Sequence, residues 1–308
     1  MSAAVPRFTP WALLAESSTG STWVNHVLSS HPCVVSVGEL LMTNATAARM
    51  WHKLDGGVDA VLQDVAARNR AQLAARVAAA ECPRSAGGIK LKLVERDVTF
   101  GEGGNALKVV AALARLKYHV ILLQRTNHLD SILGRLSRKQ TGVTHCHSSH
   151  GPVTKPKVGR RLSKCDATNL NVSFVLPCDR ARDAIDRLML RRQASNLIFR
   201  RWPSPPDGTG RMLRIEYETL VGAPAGWLAT LRLLRLQAPA VAACSLRGEH
   251  EKRVLQTQRE MLSNYDQLAR CLRAAGPVYE HQLSARRPVS GTLPREDRSL
   301  CNLAPDSR

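Results

Sequence analysis

"LLAESSTGSTWVNHVLSSHP", Leu13 to Pro32, is the stretch that decides the architecture. Residues 10–15 read as a short buried strand. Residues 22–30 read as a helix with Trp23, Val24, Val27 and Leu28 on one face, ending at His31-Pro32. Between them lies a loop of small hydroxyl residues around Gly20. Free N–H groups and the helix dipole at such a helix start favour an anion. Gly20 admits a close backbone approach, and the hydroxyls add donors. The loop is not a Walker A motif, because both its first glycine and its lysine are missing. The same residues also describe a plain Ser/Thr-capped helix after a strand, and the loop alone leaves both readings open.

Working outward, strand and helix patterns alternate. Residues 57–80 read as a long helix that stops before the breaker cluster "CPRSAGG". "IKLKLV" (89–94) alternates like a strand, 105–116 reads as a helix, and "HVILLQ" (119–124) as a strand buried on both faces. Leu129, Ile132, Leu133 and Leu136 mark one face of an amphipathic helix. A polar, basic loop insertion follows at 148–170, then a helix at 179–201, a strand at 211–217, and helices near 225–237 and 256–274. The tail 284–308 is rich in Pro, Ser and Arg and reads as disordered. The alternation predicts an α/β fold with a central, mostly parallel sheet, in one domain over 1–283. Ligands of such sheets bind at the carboxyl ends of the strands, where the Ser17–Thr22 loop lies.

Composition narrows the partners. Lys+Arg number 44 against 25 Asp+Glu, a formal +19, which suits anionic ligands. From 120 to 215 there are eighteen Lys/Arg and six Asp/Glu. Residues 119–165 contain no aromatic residue for base stacking, which disfavours a basic nucleic-acid-binding protein, the second alternative to the function given below. Eight cysteines without CxxC spacing give little support to a disulfide framework or a zinc site. "THCHSSH" (144–150) clusters His145, Cys146, His147 and His150, but no matching second cluster exists, so no metal is expected. No stretch has the length of a membrane span, and no signal-peptide pattern opens the chain. The expectation is a cytoplasmic protein by default, or a Golgi one if the N-terminus is incomplete.

Several motifs in series carry a resemblance: "STGSTW" (18–23), "SHP" (30–32), "GE" (38–39), "QRTNHLDSILGRLSRKQTGV" (124–143), "YETL" (217–220) and "NYDQL" (264–268). In this order they resemble the sulfotransferases that use 3′-phosphoadenosine-5′-phosphosulfate (PAPS), in particular the carbohydrate-type members. The resemblance spans about residues 10–280. It implies a P-loop-like three-layer α/β/α fold and an enzyme that moves a sulfuryl group from PAPS, as co-substrate and without metal, to a hydroxyl of a sugar or glycan. Ser18, Thr19, Gly20, Ser21, Thr22 and Trp23 match the loop that cradles the phosphosulfate. Glu39 matches the general base, and Arg125 the arginine on the 3′-phosphate. Lys252 and Arg253 fall in a basic segment near the donor. Lys90, after "GG", matches a lysine near the acceptor pocket, and His145 is a further acceptor contact. "YETL" matches a marker of the fold.

Two positions depart from that pattern. Ser18 stands where the family has Arg or Lys, and Gly134 where it has a helix serine on the 3′-phosphate. Ser131 and Ser137, one turn to either side, are candidate substitutes. A charged hydrogen bond contributes roughly 1.5–3 kcal/mol, so losing the loop cation weakens the site by about ten- to a hundredfold unless another residue replaces it. The first alternative is therefore a degenerate relative that binds a nucleotide or anionic glycan without turnover.

Overall fold

The structure, a computed structural model, describes residues 7–16, 18–39, 57–77, 82, 84–92, 105–141, 172–203, 207, 210–222, 224–236 and 256–283. Five strands form one sheet: β1 (Arg7–Ala15), β2 (Val34–Glu39), β3 (Arg84–Lys92), β4 (His119–Gln124) and β5 (Met212–Glu216). Their order is β2-β3-β1-β4-β5, and every pairing is parallel. The helices are α1 (Ser21–Ser30), α2 (Gly57–Val77), α3 (Asn105–Arg115), α4 (His128–Thr141), α5 (Cys178–Arg200), α6 (Tyr217–Gly222), α7 (Pro224–Leu233), α8 (Gln258–Met261), α9 (Tyr265–Ala274) and α10 (Pro277–Glu280).

The sheet is covered on both faces, which is why its central strands carry continuous apolar runs. Trp11, Leu13, Ile121 and Leu123 face Val24, Val27 and Leu28 of α1 and Trp227 and Leu231 of α7. Ala12, Leu14, Ile89, Val120 and Leu122 face Leu62 and Val65 of α2 and Val109, Ala112 and Leu113 of α3. The result is a three-layer, P-loop-like α/β/α fold. The connections of neighbours β1 and β4 leave in opposite directions, so their carboxyl ends border a topological switch point.

The fold departs from the sequence reading at three elements. β3 starts at Arg84, inside the stretch read as a breaker, because Gly87 and Gly88 lie within the strand. A Cβ at Gly88 would overlap the Trp11 indole, and one at Gly87 the Phe8 ring, so large rings pack where the glycines leave room. β2 is a strand that the sequence reading did not assign. The helix read over 256–274 is broken at Leu262, which forms an isolated bridge to Phe174.

The absence of a disulfide framework is corrected. Cys33 is bonded to Cys82 and Cys178 to Cys271, and no cysteine among the described residues is free. Sequence separations of 49 and 93 residues hide such pairs from any local pattern.

The chain divides into two compact units. One holds the sheet with its flanking helices. The other has its own core, in which Leu129, Ile132 and Leu133 of α4 meet Ile185 of α5 and Leu268 and Leu272 of α9. In that second unit Asn264 clamps the backbone of Leu176, accepting from its N–H at 3.1 Å and donating to its carbonyl at 3.0 Å. "NYDQL" is therefore a structural knot. The basic insertion 148–170 and the tail 284–308 lie outside the described residues. No described helix is long and apolar enough to cross a membrane.

Candidate functional site

The loop between β1 and α1 is bent by two left-handed residues, Ser18 (φ 66°) and Gly20 (φ 82°). Gly20 is required twice over: its backbone is left-handed, and a Cβ there would run into the Tyr217 ring. The Thr19 hydroxyl is turned inward and donates to the Glu16 carbonyl at 2.8 Å. Gly20 occupies the N-cap of α1 with no side-chain cap, and the first turn contains no acidic residue. The N–H groups of that turn and the positive end of its dipole are thus not offset by a neighbouring carboxylate on the helix.

The loop has no cation of its own, but two arrive from neighbouring strands. Lys90 lies on β3 opposite Leu13 of β1. Its ammonium donates to the Thr22 hydroxyl at 3.0 Å, and the residue is only 4% exposed. Arg125, just past β4, donates from Nη1 to the Ser18 carbonyl at 3.2 Å. Its guanidinium sits 5.1 Å from the Tyr217 ring centroid, and its Nε is 3.5 Å from a Glu218 carboxylate oxygen. Switch-point topology brings these two strand ends to the loop. Tyr217 is the platform beneath it, supporting Gly20 and Arg125 and meeting Trp23 edge-on at 5.7 Å. Trp23 also packs on Trp227 at 5.5 Å, so its indole belongs to the wall of the core.

The glycine of "GE" has a mechanical role. Gly38 has φ 80°, and β2 gains one residue relative to β3 between Ser36 and Glu39. Ser36 pairs with Gly88, yet Glu39 pairs with Lys90. This irregularity aligns the backbones of Glu39, Lys90 and Leu13 across three adjacent strands. The Glu39 side chain, and Lys252, Arg253 and His145 entirely, lie outside the described residues.

His31 is buried at the end of α1, where its Nδ1 accepts from the Cys33 N–H at 3.1 Å and burial lowers its pKa. That bond fixes it as a helix terminator. In the second unit, Ser131 and Ser137 are buried, 3% and 1% exposed, whereas a side chain at Gly134 would project into open space. The two serines do not present hydroxyls at the solvent face that Gly134 leaves bare.

The structure brings together Ser18, Thr19, Gly20, Ser21, Thr22, Lys90 and Arg125. Lys90, the candidate acceptor contact, donates to the loop through Thr22. Tyr217 and Glu218 belong to the stretch that resembles a fold marker, and both also contact Arg125, a role that the sequence does not signal. Strand order is the signal that relates them: β3 and β4 flank β1 in a 2-3-1-4-5 sheet. Chemically, the arrangement sets the backbone donors of the α1 start beside two cations, a combination that suits an anion.

No protein-family model matches the chain, and no curated protein sequence matches it. Among solved structures it is similar to the sulfotransferase domain of the Synechococcus PCC 7002 olefin synthase. That match has a TM-score of 0.35 and 14% identity, and covers 79% of this chain and 80% of that one.

Proposed function

We propose that the chain is a PAPS-dependent sulfotransferase that acts on a hydroxyl of a sugar or glycan. The observation that carries this reading is the convergence of Lys90 and Arg125 on the Ser18–Thr22 loop. It answers the main objection in the sequence, the missing loop cation, by bringing one from β3. The motif series from "STGSTW" to "NYDQL" supplies the identity of the donor. When bound, the donor provides an activated sulfuryl group.

In this reading, the α1 N–H groups and Lys90 bind the 5′ end, and Arg125 grips the 3′-phosphate. Glu39 accepts the proton of the acceptor hydroxyl as its oxygen bonds to sulfur. Lys90 and the loop donors stabilise charge on the departing phosphate oxygen. Lys252, Arg253 and His145 remain proposed donor and acceptor contacts. The two disulfides favour an oxidising compartment over the cytosol, which suits a glycan acceptor.

Binding without turnover is the second reading. It is favoured by Gly134, for which no nearby serine substitutes on the exposed side of α4.

Thermal unfolding with adenosine 3′,5′-bisphosphate, and 5′-AMP as control, tests the donor site. Ligand at 100 times its Kd stabilises by about 2.7 kcal/mol. A shift with the bisphosphate alone supports the reading, and no shift at millimolar ligand overturns it. Sulfate transfer to sugar acceptors then separates enzyme from binder.

A further inference from the structure

The opposite end of the sheet carries an unrelated concentration of charge. Arg7 and Arg84 open β1 and β3 and are direct partners in the parallel register. They share the sheet face of Trp11 and Ala86, on which α7 packs. Arg232 closes the last turn of α7, and Arg235 follows three residues later. These four arginines, with Phe8, buried Thr9 and buried Leu236, line an open surface depression of about 640 Å3. It has room for a small molecule. It lies some 25 Å from the glycine loop, eight strand residues away at about 3.3 Å each.

Two features set this cluster apart from an ordinary solvated basic surface. Like charges in direct register repel, yet among the described residues Arg7, Arg84 and Arg232 have no carboxylate partner. The second feature is conformational. The Arg235 N–H donates to the Arg232 carbonyl at 3.0 Å, and the Leu236 N–H to the Leu231 carbonyl at 3.3 Å. This is a Schellman ending, which places Arg235 at the left-handed position with φ 56°. Glycine suits that position, and an arginine is strained there. From that position Arg235 lines the depression. The basic field reaches inward as well: Arg235 and Arg211 reinforce the effect of burial in holding His119 neutral.

We infer that Arg7, Arg84, Arg232 and Arg235 form a second binding site, for a small anion bearing two or more phosphate or sulfate groups. Guanidinium groups bind such oxyanions through paired N–H bonds, and clustered ones need a ligand with several charges. The site is independent of the glycine loop and stands whether or not the donor site does.

The test is calorimetric titration with tripolyphosphate and, separately, with sucrose octasulfate, at two salt concentrations. Both use the intact chain and two variants: Arg235→Gly, and Arg84→Gln with Arg235→Gly. Binding of either probe by the wild type, weakened at least tenfold in the double variant, is the expected result. The stronger probe then identifies phosphate or sulfate as the ligand class. Because glycine relieves the left-handed strain, Arg235→Gly should keep or raise the melting temperature, so lost binding there is not lost folding. Equal binding by wild type and double variant would mean diffuse surface charge, and absence of binding by both probes at millimolar concentration would mean no site. Either outcome overturns the inference.

Discussion

Lys90 shows how much of a side chain's role depends on neighbours distant in sequence. An ammonium is costly to bury unless it is hydrogen-bonded, and this one reaches Thr22 across the β1–β3 boundary. If its role is to hold an anion at the loop, Lys90→Met should weaken adenosine 3′,5′-bisphosphate binding by about ten- to a hundredfold. That range follows from roughly 1.5–3 kcal/mol for a charge-assisted bond. The melting temperature without ligand should stay the same or rise, because methionine fills similar space without a buried charge. Titration of both proteins decides it: equal affinity would reduce Lys90 to a structural strut. Lys90 was legible as a candidate because "GGIKLKL" alternates, but the partner of its ammonium was not. Register between strands far apart in sequence is set by sheet order, which no single strand encodes. Tyr217 was hidden for the same reason, as its contact with Gly20 joins residues nearly two hundred positions apart.

At the scale of elements, periodicity located α1, α2, α3, α4, α5 and β4 to within a few residues. It failed where tertiary packing overrides local preference. The glycines of β3 look like punctuation until Trp11 is seen to occupy their space. β2 is short, and Gly38 interrupts its alternation for the sake of the irregularity that puts Glu39 beside Lys90. The disulfides were equally invisible, and they lead to a direct expectation. Cys33–Cys82 ties the end of α1 to the approach to β3, next to a backbone bond from the Ala86 N–H to the Cys33 carbonyl at 2.9 Å. Removing it by Cys33→Ser with Cys82→Ser should destabilise the chain by about 4 kcal/mol on the loop-entropy account, a large share of a typical total. Denaturant unfolding of the pair variant against wild type measures this. A change below about 1 kcal/mol would show that the bond does not constrain the unfolded chain.

At the scale of the whole molecule, charge and burial act together on acid stability. The chain already carries +19, and each histidine protonated on acidification adds to that self-repulsion. His119, at the start of β4 and 3% exposed, is the sharpest contributor. Burial first, then Arg235 and Arg211, lower its pKa from 6.5 to about 4. Burial lowers that of His31 in the same direction. Between these values the unfolded chain binds a proton that the folded chain refuses, so stability rises with pH across the window. The stabilisation is complete above pH 6.5 and is lost progressively as pH falls toward 4. For His119 alone the loss is at most about 3 kcal/mol, at about 1.4 kcal/mol per pKa unit. Replacement by glutamine should flatten the stability curve between pH 6.5 and 4 while changing little above pH 7. Chemical denaturation at half-unit pH steps would resolve this. An equally steep curve in His119→Gln would move the acid sensitivity to His31 or to net charge, and only for net charge should raised salt restore most of the lost stability by screening it.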